Sequence, residues 1–167
     1  MAGEKKMIKR AYHGSVFPFL NDIANDGALL SLWEREIRDL KRKPKMVMGL
    51  LSSNDTASLE IIALHIASRG YSELEIEQRV KSVSLTENLR NAAVYAFGNL
   101  GEKKGLIFGF DFYGDGEFTE NHPLIFVSRR FSLDSLREIY FSPESISYLE
   151  YYKRLFARFQ VTFKEYK

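Results

Sequence analysis

Four consecutive residues, Tyr12, His13, Gly14 and Ser15, offer a phenol, an imidazole, an open backbone position and a hydroxyl within one short stretch. An imidazole at a strand end, followed at once by glycine, can bind a ligand hydroxyl while the bare backbone lets that ligand come close. The same four residues also suit a plain turn. Further along, "VSLTENLRNAAVYA" (83–96) sets Ser84 and Thr86 ahead of a helical segment carrying Tyr95, an aromatic able to stack on a planar ring. Tyr95 equally suits a core position, at helical spacing with Leu89 and Ala92. In "LREIYFS" (136–142) a strand begins with Glu138, whose fixed carboxylate can stabilise a developing cation or take a proton. A solvated edge charge is the ordinary alternative.

These side chains need elements to hold them. Residues 7–12 suit a short strand, and Phe19, Leu20, Ile23 and Ala24 follow at helical spacing up to Gly27, a natural C-cap. A second helix is expected through "LLSLWEREIRDLKRKP", capped by Ser31 with Glu34 three residues on and stopped by Pro44. A third opens on Asn54 and Asp55, lines up Leu59, Ile62, Ala63 and Ile66, and ends at Gly70. Ser72 with Glu75 forms a capping box before a short helix, residues 82–86 suit a strand, and Thr86 is placed to cap the helix that carries Tyr95. Beyond residue 104 the period shortens. "KGLIFGFDFYGDG" and "HPLIFVSRRF" predict a hairpin, "LREIYFS" a further strand, "PESISYLEYYKRLFARF" a helix entered at Pro143, and "FQVTFKEY" a last strand alternating Val161 and Phe163 against Thr162 and Lys164. Helices dominate the first two thirds and strands the rest, which predicts α+β rather than a βαβ repeat. No repeat or linker breaks the chain, so residues 1–167 are expected to be one domain.

Composition excludes much. With 45% hydrophobic and 28% charged residues and a net charge of +2, the chain has the make-up of an ordinary globular protein, without the bulk charge of a nucleic-acid binder. It has no cysteine, so disulfides, thiolate catalysis and Cys-ligated clusters are out. His13, His65 and His122 are its only imidazoles, too few for a His-rich metal site, and no metal is expected. "DFYGDGEFTEN" (111–121) departs from a calcium loop, having Tyr113 at a ligand position and His122 where a glutamate should close it. Ser15, Ser52 and Ser53 lack the glycines of a nucleophile elbow, and no phosphate-cradling glycine loop is present. The charged start "MAGEKKMIKR" has no signal-peptide core and no run is long enough to span a membrane, so a cytoplasmic protein is expected. One local cluster, "RDLKRKPK" (38–45), is strongly basic: either a helix end whose cations suit the dipole or a phosphate-binding patch, with Arg129 and Arg130 as further cations.

Taken in order, the Tyr-His-Gly-Ser strand with its helix, the Ser-Leu-Thr strand with its Tyr95 helix, and the Glu138 strand resemble the ADP-ribosyltransferase superfamily. The resemblance runs from about Arg10 to the C-terminal "VTFKEY". It implies a split antiparallel β-sheet core and NAD as a substrate, whose ADP-ribose is transferred to an acceptor or to water. It also implies that Tyr12, His13, Gly14, Ser15, Ser84, Thr86 and Tyr95 line the NAD site. In that scheme His13 meets a ribose hydroxyl, the Gly14 backbone holds the nicotinamide amide, Tyr95 stacks on the nicotinamide, and Glu138 faces the nicotinamide ribose. His13, Tyr95 and Glu138 would be the catalytic set. Where many members carry a second aromatic, eleven residues before Tyr95, this chain has Ser84; where arginine-modifying members carry an acidic or amide residue, two before Glu138, it has Leu136. Arginine modification is therefore not expected. Base modification, transfer of an RNA 2′-phosphate to NAD, and a catalytically silent interaction domain on the same fold remain open.

Overall fold

The structure, a computed structural model, describes residues 9–42, 56–98, 103–112 and 124–167. It is α+β, with six α-helices among the described residues and a mixed six-stranded sheet. The chain divides into two compact units: Met1–Ala28 with Leu85–Ile125 and Ser132–Lys167, and Leu29–Ser84 with Phe126–Phe131.

The first unit is built on strand β1 (Lys9–Ser15), which pairs antiparallel with β3 (Ser84–Thr86) on one side and β4 (Leu106–Phe112) on the other. Beyond β4 lie β7 (Leu136–Phe141) and then β8 (Thr162–Glu165); β5 (Leu124–Phe126) closes the far edge beside β3. Strand β4 is a nearly unbroken apolar run with Leu106 to Phe110 all buried, as expected of a strand covered on both faces. That burial corrects the expected hairpin. Covered on both faces, β4 takes the sheet interior between β1 and β7, while the half-buried β5 goes to an edge. The expected all-antiparallel sheet is corrected too, because β8 runs parallel to β7. The cause is the helical crossover between them, a 3₁₀ stretch Pro143–Tyr148 leading into helix α6 (Leu149–Leu155), which brings the chain back in its original direction.

One face of this sheet carries Phe108, Phe110 and Ile139, and Phe156 meets Phe108 edge-on at 5.4 Å between centroids. On the other face helix α5 (Leu89–Ala93), continued by a π-turn (Val94–Gly98), packs Ala92, Ala93 and Ala96 on Ile107. Its cap differs from the expected one. Asn88 Oδ1 accepts from the Arg90 and Asn91 N–H groups, and Thr86 Oγ1 instead accepts from Asn88 N–H. Helix α1 (Leu20–Asp26) ends as anticipated on Gly27, left-handed at φ 63°, whose N–H returns to the Ile23 carbonyl.

A short ribbon pairs β2 (Ala28–Leu30) with β6 (Arg130–Ser132), and Leu29, Leu30, Arg130 and Phe131 of it belong to the second unit. The strand β2 was hidden in what reads as the start of a helix; α2 itself spans Leu32–Arg42, with Ser31 Oγ accepting from Glu34 N–H at 3.2 Å. Helix α3 (Thr56–Ala67) packs Leu59 and Ala63 on Ile37, flanked by Trp33 and Leu40. The capping box forms as expected at α4 (Glu73–Glu75), where Ser72 and Glu75 exchange side-chain and backbone bonds. The Asn54/Asp55 cap, Pro44, His122 and the loop 113–121 lie outside the described residues.

Candidate functional site

Register decides which of the expected residues meet. Tyr12 stands opposite Thr86 on one side and Gly109 on the other, and Gly109 stands opposite Glu138, which stands beside Thr162. Directly paired residues share a sheet face, so Thr86, Tyr12, Gly109, Glu138 and Thr162 form one row across five strands. The next row along, on the same face, is Gly14, Ile107, Tyr140 and Lys164. His13 pairs with Phe108 and Ser15 with Leu106, on the opposite face. The sheet therefore brings Tyr12, Thr86 and Glu138 to one side and sends His13 and Ser15 to the other.

Glu138 is buried, 7% exposed, and its carboxylate is well supplied with donors. Tyr140 O–H donates to Oε1 at 3.0 Å, Lys164 Nζ donates to Oε2 at 2.7 Å, and Arg10 Nε lies 3.8 Å from Oε1. Arg10 Nη1 also stands 3.1 Å from Asp111 Oδ1, aligned as a charge pair and not as a hydrogen bond, while Arg137 Nε donates to Asp111 Oδ2 at 2.8 Å. Tyr12 completes the group, edge-on to Tyr140 with centroids 6.2 Å apart. Burial first, and then the hydrogen bond to and charge of Glu138, push the Tyr140 phenol above its ordinary range. Burial, with the Glu138 charge behind it, raises Tyr12 as well. Both phenols are thus neutral at neutral pH, and Tyr140 is the one that donates to Glu138.

Gly109 makes this meeting possible. A Cβ there would fall 2.7 Å from Glu138 Cγ and 3.3 Å from Tyr12 Cε1, so the bare strand is what lets the carboxylate and the phenol ring share the space above it. The pairing also shifts register between Gly109 and Phe110, a bulge-like irregularity of the kind that re-aims side chains.

The other expected site residues are placed differently. Tyr-His-Gly-Ser is no turn; all four lie within β1. The side of Gly14 freed by its missing Cβ is filled by protein, since a Cβ would sit 2.1 Å from the Ala92 carbonyl oxygen and 3.0 Å from Ala96 N. Gly14 thus serves close packing of the Tyr95 segment on β1. Tyr95 is 50% exposed on a segment whose Ala92 and Ala96 are buried. Thr86 is buried and spends its hydroxyl on Asn88, Ser84 is half-buried, and Ser15 is buried with its Oγ unpartnered among the described residues. His65 is exposed on α3, and no group of three metal-ligating side chains gathers among the described residues.

Sequence reading missed Arg10, Tyr140 and Lys164. The signal was available for two of them: in "REIY" the two-residue period puts Tyr140 on the side of Glu138, and in "VTFKE" Lys164 alternates away from Phe163. Arg10 needed the register between β1 and β4, which no local pattern fixes. No family model, no curated protein and no solved structure matches the chain. No helix among the described residues is long and apolar enough to cross a membrane.

Proposed function

We propose that the chain acts on NAD, releasing nicotinamide and passing ADP-ribose to an acceptor or to water, with Glu138 as its catalytic carboxylate. Cleavage of the nicotinamide glycosidic bond builds positive charge on the ribose C1′, which a carboxylate fixed in a poorly hydrated setting stabilises at the transition state. The observation that carries the reading is the buried Glu138 carboxylate, set across Gly109 from the Tyr12 ring and oriented by Tyr140 and Lys164. The order of the three strand–helix pieces supports an ADP-ribosyltransferase-like split sheet as the fold. In this account Tyr12 takes the aromatic place beside the nicotinamide that Tyr95 was expected to hold, and His13 stays outside the chemical step.

One observation favours a second reading, an interaction domain without chemistry. Both oxygens of Glu138 are engaged within the protein, as suits a structural ion pair. Nicotinamide release separates the two. The wild type should bind NAD by calorimetry and release nicotinamide, and Glu138→Gln should keep the binding while losing about two to three orders of magnitude in rate. Absence of heat with millimolar NAD, or no nicotinamide release by the wild type, would leave the interaction domain standing, and an undiminished rate in the variant would refute the role given to Glu138.

A further inference from the structure

The second unit holds a pocket of about 260 Å³ lined by Leu30, Glu34, Ile37, Arg38, Lys41, Arg42 and Arg130. Four of these seven residues are cationic. Arg38, Lys41 and Arg42 come from the last turns of α2, and Arg130 comes across from β6. The one carboxylate, Glu34, is already held by Arg129, whose Nη2 lies 2.7 Å from Glu34 Oε1 and whose guanidinium also stacks 3.7 Å from the Trp33 ring centroid. Adjacent arginines thus divide their work: Arg129 is spent inside the protein, cancelling the pocket's acid, while Arg130 faces the pocket. Among the described residues neither Lys41 nor Arg130 has a carboxylate partner. Like charges crowded in this way repel one another, and a helix dipole offsets only a few tenths of a kcal/mol to about 1 kcal/mol of that for cations in the last turn.

We infer that this pocket binds the phosphate backbone of single-stranded nucleic acid. Cations three and four apart on a helix stand about 5–6 Å from one another at Cβ, a spacing suited to successive phosphates along one strand. Leu30 and Ile37 give the pocket an apolar wall beside the charges, against which a base or sugar can rest. The binding site stands independently of any chemistry at Glu138.

The test is fluorescence anisotropy of a labelled oligothymidylate of about 12 nucleotides, titrated with the full chain from about 20 to 200 mM salt. Three to four phosphates contacted should give a slope of log affinity on log salt of about −2 to −3. Lys41→Gln combined with Arg130→Gln should weaken binding at the lowest salt about tenfold or more and flatten the slope by about 1.4. Its melting temperature should match that of the wild type. Absence of binding at the lowest salt, or equal slopes for the two proteins, would overturn the site. Competition by thymidine monophosphate as strong as by the strand, or preference for a duplex or for anionic vesicles, would assign the charges to another ligand and overturn it as well.

Discussion

The two units handle charge in opposite ways. On the first, a negative group is buried and every atom of it is answered from within: Glu138 meets Tyr140 and Lys164 directly, with Arg10 close by, and Asp111 holds Arg10 and Arg137. On the second, positive groups gather around an open pocket whose only acid is already paired with Arg129. A buried charge whose partners all lie within the fold depends on them, and removing one member exposes the others to an unmet desolvation cost. Crowded like charges cost folding free energy, and Lys41 and Arg130 have no carboxylate partner among the described residues, so a partner from outside the chain would relieve them. Substitution should therefore read out as lost stability in the first region and as lost binding in the second.

The strongest way to break that contrast is at Gly14. If the packing of Ala92 and Ala96 on β1 is what closes this face, Gly14→Ala forces a methyl to within 2.1 Å of a backbone carbonyl that no side-chain rotation can move away. The expected cost is about 3 kcal/mol or the loss of a cooperative unfolding transition in urea, at the upper end of overpacking effects. A normally stable Gly14→Ala protein with weakened NAD binding would return Gly14 to the ligand-facing role that sequence suggested. Next in size is Glu138→Ala. Breaking a buried pair costs about 3–5 kcal/mol when both partners are enclosed. Lys164 is half exposed, so about 2 kcal/mol is expected here, measured as a shift in urea midpoint at constant m. A change under about 0.5 kcal/mol would mean that the donors around Glu138 are as well served by water.

How much of this was legible beforehand divides along the same physical line. Local devices could be read: the Ser31 cap, the Ser72–Glu75 box, the Gly27 stop and the alternation of Thr162, Phe163 and Lys164 each depend on neighbours within four residues, and each formed, although the strand starts at Thr162 and leaves out Val161. Non-local pairing could not. Whether β4 would fold back on β5 or settle between β1 and β7 rests on which contacts bury its five apolar residues, and a plausible turn says nothing about that. The site suffered from the same limit. Period two settles that Tyr12 and His13 point opposite ways, but only the pairing of β1 through β4 to β7 decides that Tyr12 is the one sharing a face with Glu138. Gly14 shows a further ambiguity, since a glycine needed for close approach looks identical in sequence whether a ligand or a helix does the approaching.

The smallest expected effect is the one that most sharpens the contrast. Arg130→Ala removes an exposed cation from the pocket without removing any ion pair among the described residues. Its unfolding free energy should lie within about 0.5 kcal/mol of wild type, on the stabilising side if repulsion from Arg38, Lys41 and Arg42 is felt. Raising salt to about 1 M should erase that difference, because the Debye length, about 8 Å at about 0.15 M, shrinks to about 3 Å there, below the spacing of these cations. Urea unfolding at low and at high salt measures both. A destabilisation of about 1 kcal/mol or more that persisted in salt would show Arg130 to be held within the protein, and the two regions would no longer differ in kind.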